Sequence, residues 1–529
     1  MKKWSLCSLM LAVVLSTPLV FAKTFIYCSE ASPRTFNLQL VDDTVTAHAG
    51  LPLYNRLVEF VPGSVQLRPR LAESWTVSKD RLEYTFKLRK DVNFHTTDYF
   101  KPTRKMNADD VVFSFMRMHD KNHPFHNVGG AKYVFYNGME LNKIVQSIEK
   151  VDDYTVKFTL NQPQGTFLAN IALETIGPIL SKEYGDKLVK ENKKDEMDTK
   201  PIGTGPFVFR QYVKDASIRY AAFNDYFDTK PKVDNMVFLI TPDNTVRAQK
   251  MIAGECHMIA EPSSIDYNRF KANPNLTVVD GDVINVGYLA FNVSKAPFDK
   301  VEVRQAIAHA LNRKSYIDAI YHGRAKVAES IIPFNMWGYT QDVKHYDYNP
   351  DRAKQLLAKA GLKDGFKTEL WALPFARAYN PDGKKMAELM QADLKAVGIE
   401  AKIVTFDSTT YMNKVEVWEH TMAQLGWSSD NGDPDNFVYP LLSCASAQNG
   451  TNITKWCDKD FDAIIQKAQT LIDRGQRSEL YKKAQQIYKE QVPSIPLAHS
   501  MIYRVMAKNV AGYKISPFGR DDFENIELK

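Results

Sequence analysis

Apolar and polar positions alternate along residues 83–89 and 154–160, the two-residue period of strands with one buried face. Between them, Asn107-Ala108-Asp109-Asp110 predicts a helix start, with Asn107 as cap and two acids in the first turn. This mixed pattern runs from residue 23 to about 205. From about residue 283, helix and strand alternate. Asn349 caps a helix with Pro350 in its first position. Ala353, Leu356, Leu357 and Ala360 follow at helical spacing, and Gly361 closes it. A strand is predicted over 367–373, a helix over roughly 384–397 ending at Gly398, and a strand over 399–406. This repetition predicts a βαβ-type, open α/β domain. No tandem repeat, low-complexity segment or long linker separates the halves, so two lobes in close contact are expected.

The apolar run 422–427 predicts a buried strand, and an acidic turn follows it. Trp427-Ser428-Ser429-Asp430-Asn431-Gly432-Asp433-Pro434-Asp435-Asn436 packs three carboxylates into six residues. Its Pro and Gly exclude a helix or central strand over this run. Loops at strand ends are where α/β proteins hold ligands, although a solvated Asp/Asn turn is the plainer reading. The acid spacing of an EF-hand calcium loop is not met, and Pro434 interrupts it.

The N-terminus has the form of an export signal. Lys2 and Lys3 precede an apolar stretch over 9–20, and Val20-Phe21-Ala22 offers a cleavage site before Lys23. Ser16, Thr17 and Pro18 break the stretch, which argues against a membrane anchor. A cleavable signal over 1–22 and a soluble, periplasmic mature chain are expected. Four cysteines remain: Cys28, Cys256, Cys444 and Cys457. In an oxidising compartment they predict two disulfides with three possible connectivities. Cys444 and Cys457 are the natural local pair, which would leave Cys28 with Cys256. No C-x-x-C or matching His spacing supports zinc.

The 529 residues demand at least two domains. The net charge of +6 becomes +4 once Lys2 and Lys3 leave, and it is spread along the chain, which excludes nucleic acid as partner. An aromatic content of 12% suits a lined cleft. Catalytic motifs are missing: no G-x-S-x-G, H-E-x-x-H, P-loop or dinucleotide fingerprint. Gly203-Thr204-Gly205-Pro206 predicts a tight turn, and His95, His123 and His126 lack ligand spacing. Neither an enzyme, a metal site nor a cofactor is expected; a secreted metal-dependent hydrolase using the Asp-rich turn is the rival of another class.

Several segments carry a family resemblance. Leu71-Ala72-Glu73-Ser74-Trp75, Tyr84-Thr85-Phe86-Lys87-Leu88-Arg89 with Val92 and His95, and Asn107-Ala108-Asp109-Asp110-Val111-Val112-Phe113-Ser114-Phe115 resemble bacterial extracellular solute-binding proteins of the peptide and nickel class. Pro201-Ile202-Gly203-Thr204-Gly205-Pro206-Phe207 and Val303-Arg304-Gln305-Ala306 fit as well. Met336-Trp337-Gly338-Tyr339, the acidic turn and Lys455-Trp456-Cys457 are similar to dipeptide-binding members.

The resemblance implies an α/β, two-lobed clamshell of mixed sheets flanked by helices, with a hinge. Lobe one is residues 23–282 plus 501–529, and lobe two is 283–500. It also implies the disulfides Cys28–Cys256 and Cys444–Cys457, a monomer, and delivery of dipeptides to an inner-membrane ABC permease. Asp430 is expected to take the ligand ammonium, and Arg377, with Ala378 and Tyr379 beside it, the carboxylate. Tyr133, Trp427, Ser428 and Ser429 are expected to line the cleft. A zwitterion of fixed length suits one Asp and one forked Arg. Asp42 and Asp43 stand where Thr and Ser are expected, and Lys132 replaces a small residue, so both places bear on ligand choice. Ile515-Ser516-Pro517-Phe518-Gly519 and Lys105-Met106-Asn107 are similar to relatives for cationic antimicrobial peptides. Haem and glutathione, bound by other relatives, stand as alternative ligands.

Overall fold

The alternating runs form strands as their pattern requires. Glu83–Leu88 and Thr155–Leu160 pair antiparallel, with Tyr84 opposite Phe158 and Phe86 opposite Val156, all four buried. They lie at the centre of a four-stranded sheet completed by Ala72–Val77 and Val145–Asp152. The helix Ala108–His119 packs on this sheet, with Phe115 edge-on to Phe158 at 4.9 Å. Its start is a capping box: the Asn107 side chain accepts from the Asp109 N–H, and the Asp110 carboxylate accepts from the Asn107 N–H. The computed structural model describes residues 22–41, 43–130, 132–449 and 451–529; the predicted signal, except Ala22, lies outside the described residues.

The main sheet has twelve strands and turns on one long member, Ser494–Ala507. Its first half pairs with Asn285–Phe291 and Ala325–Val327, its second half with Met258–Ile259 and Leu276–Asp282. The predicted βαβ unit is present: Phe366–Trp371 and Ile399–Val404 run parallel, joined through the helix Gly383–Ala396. The helix Pro350–Lys359 is capped by Asn349, whose Oδ1 accepts the Arg352 N–H at 2.9 Å. Buried side chains gather in separate clusters. The largest draws on residues between Phe25 and Ala260 with others from Met506 to Leu528; two more draw on residues between Ile284 and Ala498. The fold is mixed α/β.

Both disulfides are formed, Cys28–Cys256 and Cys444–Cys457. His95 is fully buried, with Nε2 at 2.9 Å from the Gly205 carbonyl, and burial draws its pKa down to about 4. One expectation is corrected. The run 427–436 is not a turn throughout: Trp427 and Ser428 end the strand Met422–Ser428, while Asp435 and Asn436 open the helix Asp435–Leu442, with Pro434 as its N-cap. Proline breaks a helix interior but fits a helix start, where no N–H is needed and its fixed φ is already helical. No helix among the described residues is long and apolar enough to cross a membrane.

Candidate functional site

A cavity of about 850 Å³ opens where the halves of the main sheet meet. From one side come Glu30, Asp43, Glu261 and the segment 517–520; from the other come Tyr321, Arg324, residues 376–379 and 428–430. The central strand contributes residues 500–504.

Asp430 reaches the cavity from the end of the strand Met422–Ser428. Its carboxylate accepts from the Asn436 amide at 3.0 Å, and its own N–H donates to Asn436 Oδ1 at 2.9 Å. Trp427 Nε1 donates to the same oxygen at 3.2 Å, so the Asn436 amide is pinned in one orientation. Burial pushes the Asp430 pKa up to about 6, against the opposing hydrogen bond from Asn436. The neighbouring Ser429 is buried, with its N–H bonded to the Ile284 carbonyl at 2.8 Å, while Ser428 is exposed.

Arg377 stands on the loop after Phe366–Trp371. The Arg377 and Asn380 backbones exchange two hydrogen bonds of 3.0 Å, closing a tight turn. Gln424 anchors the turn from the strand below: its Oε1 accepts from Asn380 Nδ2 and from the Leu373 N–H, each at 3.2 Å. Tyr379 fixes the height of the loop. It lies over Gly287 and Gly426, which face each other in register on adjacent strands. A Cβ on Gly426 would stand 2.2 Å from the Tyr379 ring, and one on Gly287 would stand 2.3 Å from its carbonyl oxygen. The two glycines thus form a bare patch that seats the loop. The Arg377 guanidinium is exposed, 4.4 Å over Phe375, with one N–H donated to the Ala376 carbonyl at 3.0 Å. Among the described residues neither Asp430 nor Arg377 has an ion-pair partner. Such a cavity is complementary to a molecule that carries both signs of charge.

The structure brings Arg377, Ala378, Tyr379, Ser428, Ser429 and Asp430 to one cavity. Its borders depart from expectation at three residues. Trp427 sits behind Asp430, acting on it through Asn436. Tyr133 has a left-handed backbone (φ 33°), and its ring is buried beside Arg117, with the hydroxyl donating to the His126 carbonyl at 2.8 Å. Lys132 is exposed and away from the cavity. Asp42 lies outside the described residues. Asp43 borders the cavity, but its carboxylate is spent on capping the helix Thr44–Gly50 and on Arg34 at 2.7 Å. The other two acids of the turn are structural: Asp433 pairs with Arg477, and Asp435 accepts from Gln469. Sequence reasoning missed Glu30, Glu261, Arg324, Arg504 and Arg520, which carry no motif. Among the described residues no three His, Cys, Asp or Glu side chains gather as metal ligands.

Comparison with known proteins agrees with this architecture. The bacterial extracellular solute-binding proteins, family 5 Middle, match residues 66–449. The chain is 45% identical over 532 residues to the dipeptide-binding protein of Escherichia coli (strain K12), covering 100% of this chain and 99% of that one. The structure of HbpA2 from Haemophilus parasuis is similar with a TM-score of 0.92 at 41% identity, covering 96% and 100% of the two chains. A dipeptide-binding protein from Pseudoalteromonas sp. SM9913, in complex with Met-Leu, gives 0.81 at 37% identity, covering 96% and 100%. These neighbours share a two-lobed α/β fold, and the chain belongs to the bacterial extracellular solute-binding proteins, family 5.

Proposed function

We propose that this chain is the periplasmic receptor of an ABC transporter, capturing dipeptides or short peptides and delivering them to an inner-membrane permease. The observation that carries this reading is the pair Asp430 and Arg377, bordering one cavity with no ion-pair partner among the described residues. A free peptide is a zwitterion: its ammonium suits Asp430, and its carboxylate suits the planar fork of Arg377. The dipeptide-binding relative and the Met-Leu complex support the same ligand class.

Residues 23–282 with 501–529 form one lobe in this reading and 283–500 the other. The separate buried clusters and the change of strand partners along Ser494–Ala507 support that division. A ligand that touches both walls binds the closed arrangement better and shifts the population towards it. The chain acts by binding, as a monomer exported with a cleavable signal over 1–22, and turns nothing over.

Calorimetry with Ala-Ala tests the site. Arg377→Ala and Asp430→Asn are each expected to lower affinity by roughly two to three decades. Equal affinity in all three proteins overturns the assignment. Release of free amino acids from the peptide would replace the receptor reading with the hydrolase.

A further inference from the structure

The peptide site uses one arginine, yet four border the cavity: Arg324, Arg377, Arg504 and Arg520. Two of these are spent. Arg504 donates to Asp521 at 2.8 Å and to Glu261 at 3.1 Å, and Arg520 pairs with Glu174. Arg324 is different: among the described residues no carboxylate lies in ion-pair range and no acceptor takes its side-chain N–H groups. Its guanidinium stacks instead over Tyr267 at 4.8 Å and Tyr503 at 5.6 Å. Those rings meet edge-on at 5.0 Å, and their hydroxyls are tied to Asp280 and to the Ser263 carbonyl. Anchored rings hold the guanidinium in place without neutralising its charge, which leaves its N–H donors without an acceptor among the described residues. A half-buried arginine held this way is preorganised for an anion.

Its position relates it to the proposed peptide site. The Arg324 N–H donates to the Tyr321 carbonyl at 3.0 Å, and the Tyr321 hydroxyl donates to the Tyr379 carbonyl at 2.6 Å, two residues from Arg377. The backbones of the two unpaired arginines therefore adjoin on one wall, from which the Arg324 side chain reaches Tyr267 and Tyr503 of the other. A ligand with a single carboxylate satisfies only one of them.

We propose that Arg324 forms a second carboxylate subsite, so that the cleft prefers peptides with an acidic side chain over their neutral counterparts. The proposal rests on the peptide reading given above. Lys132 does not border the cavity, whereas Arg324 does. Glu30 is the rival partner for this guanidinium: it borders the cavity and has a buried Oε2 that no described group meets.

Calorimetry with Ala-Ala and with the isosteric pairs Ala-Glu/Ala-Gln and Glu-Ala/Gln-Ala, on wild type and Arg324→Gln, decides it. Wild type is expected to bind at least one Glu peptide about tenfold tighter than its Gln isostere, the scale of one charge-assisted contact. Arg324→Gln should erase that ratio while Ala-Ala affinity stays within about twofold of wild type. A wild-type ratio near one for both pairs overturns the subsite, as does a ratio that survives the substitution. The first is also the result if Glu30 takes Arg324 on closure. If Arg324 is only structural, the variant weakens all peptides alike and unfolds at lower urea, which again overturns the proposal. If no peptide binds wild type, the peptide reading itself falls and the subsite with it; binding of Ala-Ala without a Glu preference removes the subsite alone.

Discussion

Asp430 and Asp433 stand three residues apart in one acidic turn, yet they live in opposite electrostatic circumstances. Asp433 is buried and accepts two 2.7 Å bonds from the fork of Arg477, which also donates to the Tyr481 hydroxyl and lies 5.0 Å from the Trp337 ring. Trp337 in turn donates to the Gly432 carbonyl at 3.1 Å. That pair is complete in itself and locks the turn. Asp430 has a single amide on its carboxylate and faces a cavity where Arg377 waits exposed. The same two residue types thus do two jobs. Where Asp and Arg touch, the charges are consumed by the fold; where the fold holds them apart, both remain for a ligand.

The sharpest way to break this comparison is to remove one arginine from each pair. Arg477→Ala leaves the Asp433 charge buried without its partner, a loss of about 3–5 kcal/mol of stability. Arg377→Ala removes an exposed group with no ion pair and should change stability by less than about 1 kcal/mol while affinity collapses. Urea unfolding of both variants measures the difference. Similar losses of stability in the two would mean that Arg377 is also part of the scaffold.

How much of this was legible in the sequence follows from the range of each interaction. The strands at 83–88 and 155–160 and the Asn107 and Asn349 caps are local, so period and cap chemistry place them within a residue or two. Pro434 reads as a breaker because proline can end a helix or start one, and only the following Asp435–Leu442 helix decides which. The division of labour among the three acids could not be seen, since Arg477 lies 44 residues beyond Asp433. Resemblance supplied Asp430 and Arg377. It could not supply Arg324 or Glu30, whose side chains meet the cavity from strand ends far apart in the chain.

Gly426→Ala probes the seat of the Arg377 loop. The new methyl would lie 2.2–2.6 Å from three atoms of the Tyr379 ring, including Cγ at its base, so flipping the ring about its Cβ–Cγ bond cannot clear it. The ring has to leave its seat or the loop has to lift, at a cost of about 1–3 kcal/mol in stability. Arg377 moves with it, and peptide affinity is expected to fall about tenfold or more. Unchanged affinity would show that Arg377 does not depend on this seat.

A smaller effect comes from pH. Burial pushes the Asp430 pKa up to about 6, and a ligand ammonium favours the ionised carboxylate, so the pKa is lower in the complex. Affinity is therefore at its plateau above about pH 6 and falls as pH drops below it, by at most about tenfold per unit, until the pKa of the complex is reached. Calorimetry of Ala-Ala between pH 7.5 and pH 5 measures the slope. In Asp430→Asn that slope should vanish, and a slope that persists belongs to another group.

The smallest expected effect tests whether Trp427 acts through Asn436. Trp427 does not border the cavity, but its indole N–H donates to Asn436 Oδ1, and Asn436 in turn donates to the Asp430 carboxylate. Phe at this position keeps an aromatic ring and removes only the donor. One net hydrogen bond is then lost, about 0.5–1.5 kcal/mol, or up to roughly tenfold in affinity. With its oxygen no longer held from two sides, the Asn436 amide is free to turn, and the carboxylate loses the donor that opposes burial. Trp427→Phe should therefore weaken Ala-Ala binding modestly and also move the acid limb of the pH profile to higher pH. A ring that merely fills space would leave that limb in place, so a weakened but unshifted profile assigns Trp427 to packing and leaves Asn436 to orient Asp430 alone.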